Sequence, residues 1–130
     1  MKELLPPGWP RPKGYSNGIA AHGRIVVTAG VVGWDEQGKF VSNTLAGQFA
    51  QVLRNILAIL ACDGAGPKNI TKLTCYVTSI DEYLASLSEI GAAWKDIIGS
   101  HYPAMALVEV VRLVEPAAKV EIEATAVVPE

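Results

Sequence analysis

Apolar residues recur at spacings of three and four between Thr44 and Ala61. Leu45, Phe49, Val52, Leu53, Ile56 and Leu60 form one stripe, with Gln48, Gln51, Arg54 and Asn55 elsewhere on the wheel. Such a stripe predicts an amphipathic helix packed on a core, and Gly64 followed by Pro67 predicts its stop. From Ile70 to Val77 the period changes to two: Leu73, Cys75 and Val77 alternate against Thr74 and Tyr76, the pattern of a strand. Helical spacing returns over about 84–98, where Leu87, Ile90, Gly91, Trp94 and Ile98 predict a second helix. Two last strands are expected over about 104–112 and 119–127, joined by 113–118.

Upstream, two β-prone runs at about 15–20 and 24–29 flank Ala21-His22-Gly23, the spacing of a hairpin, and Asp35-Glu36-Gln37-Gly38 reads as a further turn. Residues 1–13 carry Pro6, Pro7, Pro10 and Pro12, so an extended arm is expected ahead of a domain spanning 14–130, with Trp9 docked on the domain or on a neighbouring subunit. The order ββ(β)αβαββ predicts an α+β fold, a single mixed sheet with two helices packed on one face. Val and Ile at both parities of the last two strands call for cover on both sides of that sheet. Two helices cannot supply it, so a homo-oligomer is expected.

Composition narrows the function classes. Half of the 130 residues are hydrophobic and 18% are charged, which excludes a disordered chain. Eleven Lys and Arg against 13 Asp and Glu leave a net charge of -2, and no basic run is present, which argues against nucleic acid as partner. No apolar stretch is long enough for a bilayer, so no membrane partner is expected. The proline-rich start lacks the unbroken apolar core of a signal peptide. Cys62 and Cys75 cannot form a metal-ligand series or a disulfide framework. Both are read as buried apolar side chains, in a reduced, cytoplasmic setting without a metal.

Four blocks follow one another in order: Tyr15-Ser16-Asn17-Gly18, Thr28-Ala29-Gly30, Tyr102-Pro103-Ala104 leading into Val108-Glu109-Val110, and Val120-Glu121-Ile122-Glu123-Ala124. As an ordered set over about residues 14–127 they resemble the Rid family, the reactive intermediate deaminases also called the YjgF family. The resemblance implies a chorismate-mutase-like fold and a homotrimer with three clefts between subunits. It also implies a small-molecule substrate and no cofactor. Deaminating members hydrolyse enamines and imines to oxo acids and ammonia.

That reaction protonates an enamine on carbon, adds water to the resulting C=N carbon and releases ammonia. A site for it needs an acid/base group, a held water and a partner for the substrate carboxylate. In the family an Arg after the Pro-Ala pair holds the carboxylate, its fork donating two parallel hydrogen bonds. Met105 stands at that position here. Leu107 stands for the family's Cys, Ala29 for its Ser before the glycine, and Ser88 for its Asn on the second helix. Glu121 keeps the family position and is the expected general acid/base. Its other reading is a structural carboxylate paired with Lys or Arg between subunits. Tyr15 and Gly30 are expected to shape the cleft, Tyr15 by packing on a planar substrate and Gly30 by letting a ligand approach the backbone, unless the glycine marks only a strand bend or bulge.

Two cations could replace the missing Arg. Arg112 lies an odd seven residues beyond Met105, on the opposite side of a regular strand and about 23 Å along it. His101, immediately before the Tyr-Pro-Ala block, is the better local candidate. Glu109 either lies across the last hairpin from Glu121 or pairs with Lys119 or Arg112.

A narrower resemblance rests on Gly33-Trp34-Asp35, on residues 102–108, on Leu113-Val114-Glu115-Pro116 and on residues 118–121. These look like the branch containing 2-aminomuconate deaminases, whose substrate is a conjugated enamine with two carboxylates. The expected function is hydrolytic deamination of a small enamine or imine carboxylic acid, 2-aminomuconate-like by preference. The loss of the Arg at Met105 favours a rival from another class, a non-catalytic trimer that binds a small metabolite. A ribonuclease reading finds support neither in the net charge nor in a basic-aromatic surface.

Overall fold

The computed structural model describes residues 1–130. Its elements run β1 (Lys2–Glu3), β2 (Ile19–Ala20), β3 (Arg24–Val27), β4 (Val31–Val32), α1 (Leu45–Ala61), a 3-10 turn (Pro67–Asn69), β5 (Ile70–Val77), α2 (Ile80–Ala85), α3 (Leu87–Ile97), β6 (Ala104–Glu109) and β7 (Val120–Val128). The fold is α+β, as the pattern predicts.

Helix α1 begins where Thr44 caps it, its Oγ1 accepting from the Gly47 N–H at 3.0 Å. The stripe Leu45, Phe49, Val52, Leu53, Ile56 and Leu60 is fully buried. Past the helix, Gly64 takes φ +75° and the Ala65 N–H reaches back to the Leu60 carbonyl, which satisfies a helix-end acceptor. Cys62 caps this end and is exposed, contrary to the expected burial, because the stripe ends at Leu60.

The predicted second helix is two. Ser79 caps α2 by accepting from the Glu82 N–H at 3.1 Å, and the chain leaves helical geometry at Ser86, whose hydroxyl turns back to the Glu82 carbonyl at 2.8 Å. Three helices therefore replace the two expected. The Ser79-x-x-Glu82 spacing is the local signal for the earlier start.

The main sheet has the order β3-β7-β5-β6, with β4 also paired to β7. All its pairings are antiparallel except β5 with β6, whose parallel register needs the crossover that α2 and α3 supply. Two expected hairpins do not form. Residues 19–20 pair with Lys2–Glu3 in a small second sheet, while Arg24–Val27 pairs with the end of β7. Strands β6 and β7 do not meet, because β5 lies between them and pairs with both. Strand β6 also stops at Glu109, short of Arg112.

One face of the sheet meets the helices through Leu73, Cys75 and Val77 of β5 and Val120, Ile122, Ala124 and Ala126 of β7, all buried. Burial in this core pushes the Cys75 thiol up to about 12. The other face is uncovered in the single chain: Ile25 is 70% and Val27 66% exposed. No helix is long and apolar enough to cross a membrane.

Candidate functional site

The predicted residues fall into two groups on opposite faces of the sheet. Met105 pairs in register with the buried Leu73, so it points to the helix side, as does Leu107 opposite Cys75. Glu121 lies between the buried Val120 and Ile122 and points to the open side. Their strands are separated by β5.

The first group lines a cavity of about 390 Å³ between the edge of β6, helix α3 and the segment Lys13–Tyr15. Met105 and Leu107 form one wall, with Tyr15, Tyr83, Trp94 and Tyr102 around them. Ser16 holds the segment in place: its N–H donates to the Pro103 carbonyl at 2.9 Å and its hydroxyl donates to the Tyr102 carbonyl. That staple sets Tyr15 beside the start of β6. Trp94 stacks on Tyr102 with ring centroids 6.0 Å apart and planes 9° from parallel, and its Nε1 donates to the His101 carbonyl at 3.2 Å. Burial raises the phenol of Tyr83, with the nearby Cys75 adding to it. Ser88 is exposed on α3, one residue beyond the lining Leu87.

The second group centres on Glu121 and Gly30. Between Val27, paired with Thr125, and Val31, paired with Ile122, three residues (28–30) oppose two (123–124). This is a β-bulge, and bulges re-aim the chain. Thr28 closes it: its N–H donates to the Ala124 carbonyl at 2.9 Å and its Oγ1 accepts from the Ala124 N–H at 3.0 Å. Gly30 then lies directly against the Glu121 side chain, where an added Cβ would stand 2.8 Å from the carboxyl carbon. The Glu121 carboxylate makes no hydrogen bond or ion pair within the chain, whose ion pairs are Arg11–Glu3, Arg24–Asp63 and Lys119–Glu82. Beside it, Tyr76 donates to Glu123 Oε1 at 2.8 Å. That bond raises the phenol's pKa, and burial and the charges of Glu123, Glu121 and Cys75 act in the same direction.

The bulged segment is held from the helix side. Asn55 Nδ2 donates to the carbonyls of Val32 and Trp34 at 3.0 and 2.8 Å. Buried Gln48 spends its whole amide on the chain, donating to the Ser42 and Ala117 carbonyls at 3.0 and 2.9 Å and accepting from the Lys119 N–H at 2.7 Å.

Three expected partners stand elsewhere. His101 lines a neighbouring hollow with Arg11 and Lys68, and its Nε2 donates to the Ile70 carbonyl at 2.7 Å, so the ring braces the start of β5. Arg112 lies on the wall of a broad hollow of about 1420 Å³ beneath residues 111–119, which holds none of the predicted site residues. Glu109 neither faces Glu121 nor pairs with a cation, because its Oε1 accepts from the Ile80 N–H at the start of α2. Lys119 pairs instead with Glu82 at 3.0 Å. Sequence reasoning missed the aromatic wall. Trp94 was legible only as a core position of α3, and Tyr102 only as part of a block. No group of three or more His, Cys, Asp or Glu side chains comes together to hold a metal.

The chain is thus an α+β domain whose mixed sheet is backed by helices, with an apolar cleft at its parallel edge and an unpaired carboxylate on its open face. The chain belongs to the family described as Endoribonuclease L-PSP, which includes the RutC and Rid proteins and which it matches over residues 10–128. A RutC family protein of Pyrococcus horikoshii is 35% identical over 97% of this chain and 98% of its own. A 2-iminobutanoate/2-iminopropanoate deaminase of Salmonella typhimurium is 31% identical over 81% and 80%. A Rid-family protein of unknown function from Yersinia pestis has the same fold, with a TM-score of 0.84 and 30% identity over 98% of both chains.

Proposed function

We propose that this protein is a hydrolytic deaminase of a small enamine or imine carboxylic acid, acting as a homotrimer. The observation that carries the reading is the free Glu121 carboxylate held against the bulge at Gly30. A carboxylate without a partner inside its own chain is available to accept a proton from water and return it to carbon or nitrogen. Relatives named as imine deaminases support the same reaction class. The substrate R–C(=NH)–COO⁻ gains water across C=N to give a carbinolamine. Proton transfer to nitrogen then releases ammonia and leaves R–C(=O)–COO⁻.

In one chain the cleft lined by Met105 and the Glu121 carboxylate lie on opposite faces of the sheet. A second copy that covers the open face, where Ile25 and Val27 stand exposed, would set the Glu121 of one chain beside the cleft of another. A conjugated substrate of the 2-aminomuconate type is the preferred one, on the strength of the resemblance in residues 33–35, 102–108, 113–116 and 118–121. The apolar Met105 and Leu107 favour the second reading, a trimer that binds a metabolite without turning it over.

Ammonia release and ultraviolet absorbance, followed with enzymatically generated 2-aminomuconate and 2-aminoacrylate, test the proposal. Wild type should accelerate decay above the spontaneous rate, and Glu121→Gln should lose about a hundredfold or more. No acceleration with either substrate would leave the binding reading.

A further inference from the structure

The cleft beside Met105 carries information about what it accepts. Five of its twelve lining residues are aromatic: Tyr15, Phe49, Tyr83, Trp94 and Tyr102. One is charged, Lys13. At about 390 Å³ the cavity lies in the range of small-molecule pockets and is several times larger than a three-carbon acid needs. Lys13 is exposed and has no carboxylate partner in the chain, whereas its near neighbour Arg11 is committed to Glu3 at 2.8 Å. Gly14, with φ +82° and open space around it, turns the chain between Lys13 and Tyr15. The one free cation of the cleft is thereby set on the same short segment as an aromatic wall.

We infer that Lys13 holds the substrate carboxylate in place of the missing Arg, and that the cleft selects 2-imino and 2-oxo acids with a planar, unsaturated side chain over those with a methyl group. The inference rests on the proposed deaminase reading and names its substrate class. Planar apolar groups gain most from burial among aromatic rings, and offset or edge-on ring contacts add to it. An ammonium on a flexible stem pairs with a carboxylate as a point charge and does not need the bidentate geometry of an Arg. Tyr83 keeps its phenolic proton, so its hydroxyl adds no negative charge to repel an acid.

Titration calorimetry with oxo-acid products reads this without requiring turnover. Phenylpyruvate should bind at least about tenfold more tightly than pyruvate, and Lys13→Met should weaken phenylpyruvate by about tenfold. Lys13→Arg should restore it. Phenylacetone, which keeps the ring and carbonyl without the carboxylate, should bind wild type and Lys13→Met alike. Equal affinity for pyruvate and phenylpyruvate would overturn the side-chain selection. Unchanged phenylpyruvate binding in Lys13→Met would overturn the role of Lys13. Binding with these preferences but without deamination of any imine would sink the deaminase reading and leave the cleft assignment standing. Deamination that shows no preference for a planar side chain would do the reverse.

Discussion

The carboxylate of Glu121 lies against the backbone of Gly30 so closely that no side chain fits between them. The bulge at residues 28–30 creates this approach, and the Thr28 hydroxyl closes the bulge by standing in for a ladder partner of Ala124. Gly30 is needed here for the absence of its Cβ, since its φ is not in the left-handed region.

Gly30→Ala should therefore displace Glu121 rather than unfold the chain, because the obstructing atoms belong to a half-exposed side chain that can swing away. Turnover should fall by about a hundredfold, approaching that of Glu121→Gln, while the thermal midpoint moves by only a few degrees. Steady-state rates and a melting curve on the same preparation check this. Full activity in Gly30→Ala would show that the carboxylate position does not matter.

Met105→Arg reintroduces a guanidinium on the wall of the cleft. Its bidentate grip should raise kcat/KM for 2-aminoacrylate by about tenfold and lower the affinity for phenylpyruvate. Parallel kinetics and calorimetry measure the trade. If 2-aminoacrylate turnover and phenylpyruvate binding fall equally, the added charge has only disrupted the wall.

Gln48→Leu keeps the side-chain volume near that of Gln48 and removes all three hydrogen bonds that join α1 to residues 42, 117 and 119. Two carbonyls and one N–H lose their partner, which should cost about 2–4 kcal/mol in urea unfolding. Because Lys119 immediately precedes β7, activity should fall with the looser placement of Glu121.

Alkaline pH should weaken the fold through Cys75. Below its ordinary pKa of 9.0 the thiol keeps its proton in both folded and unfolded chains. Above that value the unfolded chain releases the proton, while burial holds the folded thiol protonated up to about 12. The folded state then binds more protons, so stability falls as pH rises across this window. Tyr76 and Tyr83, both raised, act in the same direction. Urea midpoints at about pH 8 and about pH 10.5 should drop less in Cys75→Ala than in wild type. In native protein, iodoacetamide should label exposed Cys62 and spare Cys75.

Much of the local structure was legible because it depends on neighbours in sequence. The stripe from Leu45 to Leu60 and the alternation from Leu73 to Val77 each encode one buried face, and α1 and β5 formed where those patterns lie. The ordered blocks, the last of which carries Glu121, sufficed to point to the family. Other features needed the assembled sheet. Glu109 and Glu121 are separated by β5, and Met105 and Glu121 take opposite faces, because strand order and register are set by ladder pairing between distant segments. His101 is spent on the Ile70 carbonyl, 31 positions away, and no local signal marks that bond. The aromatic cleft likewise arises only when Tyr15, Trp94 and Tyr102, from three separate segments, pack against β6. Periodicity within a segment determines which side chains are buried, but packing between segments decides which of them share a site.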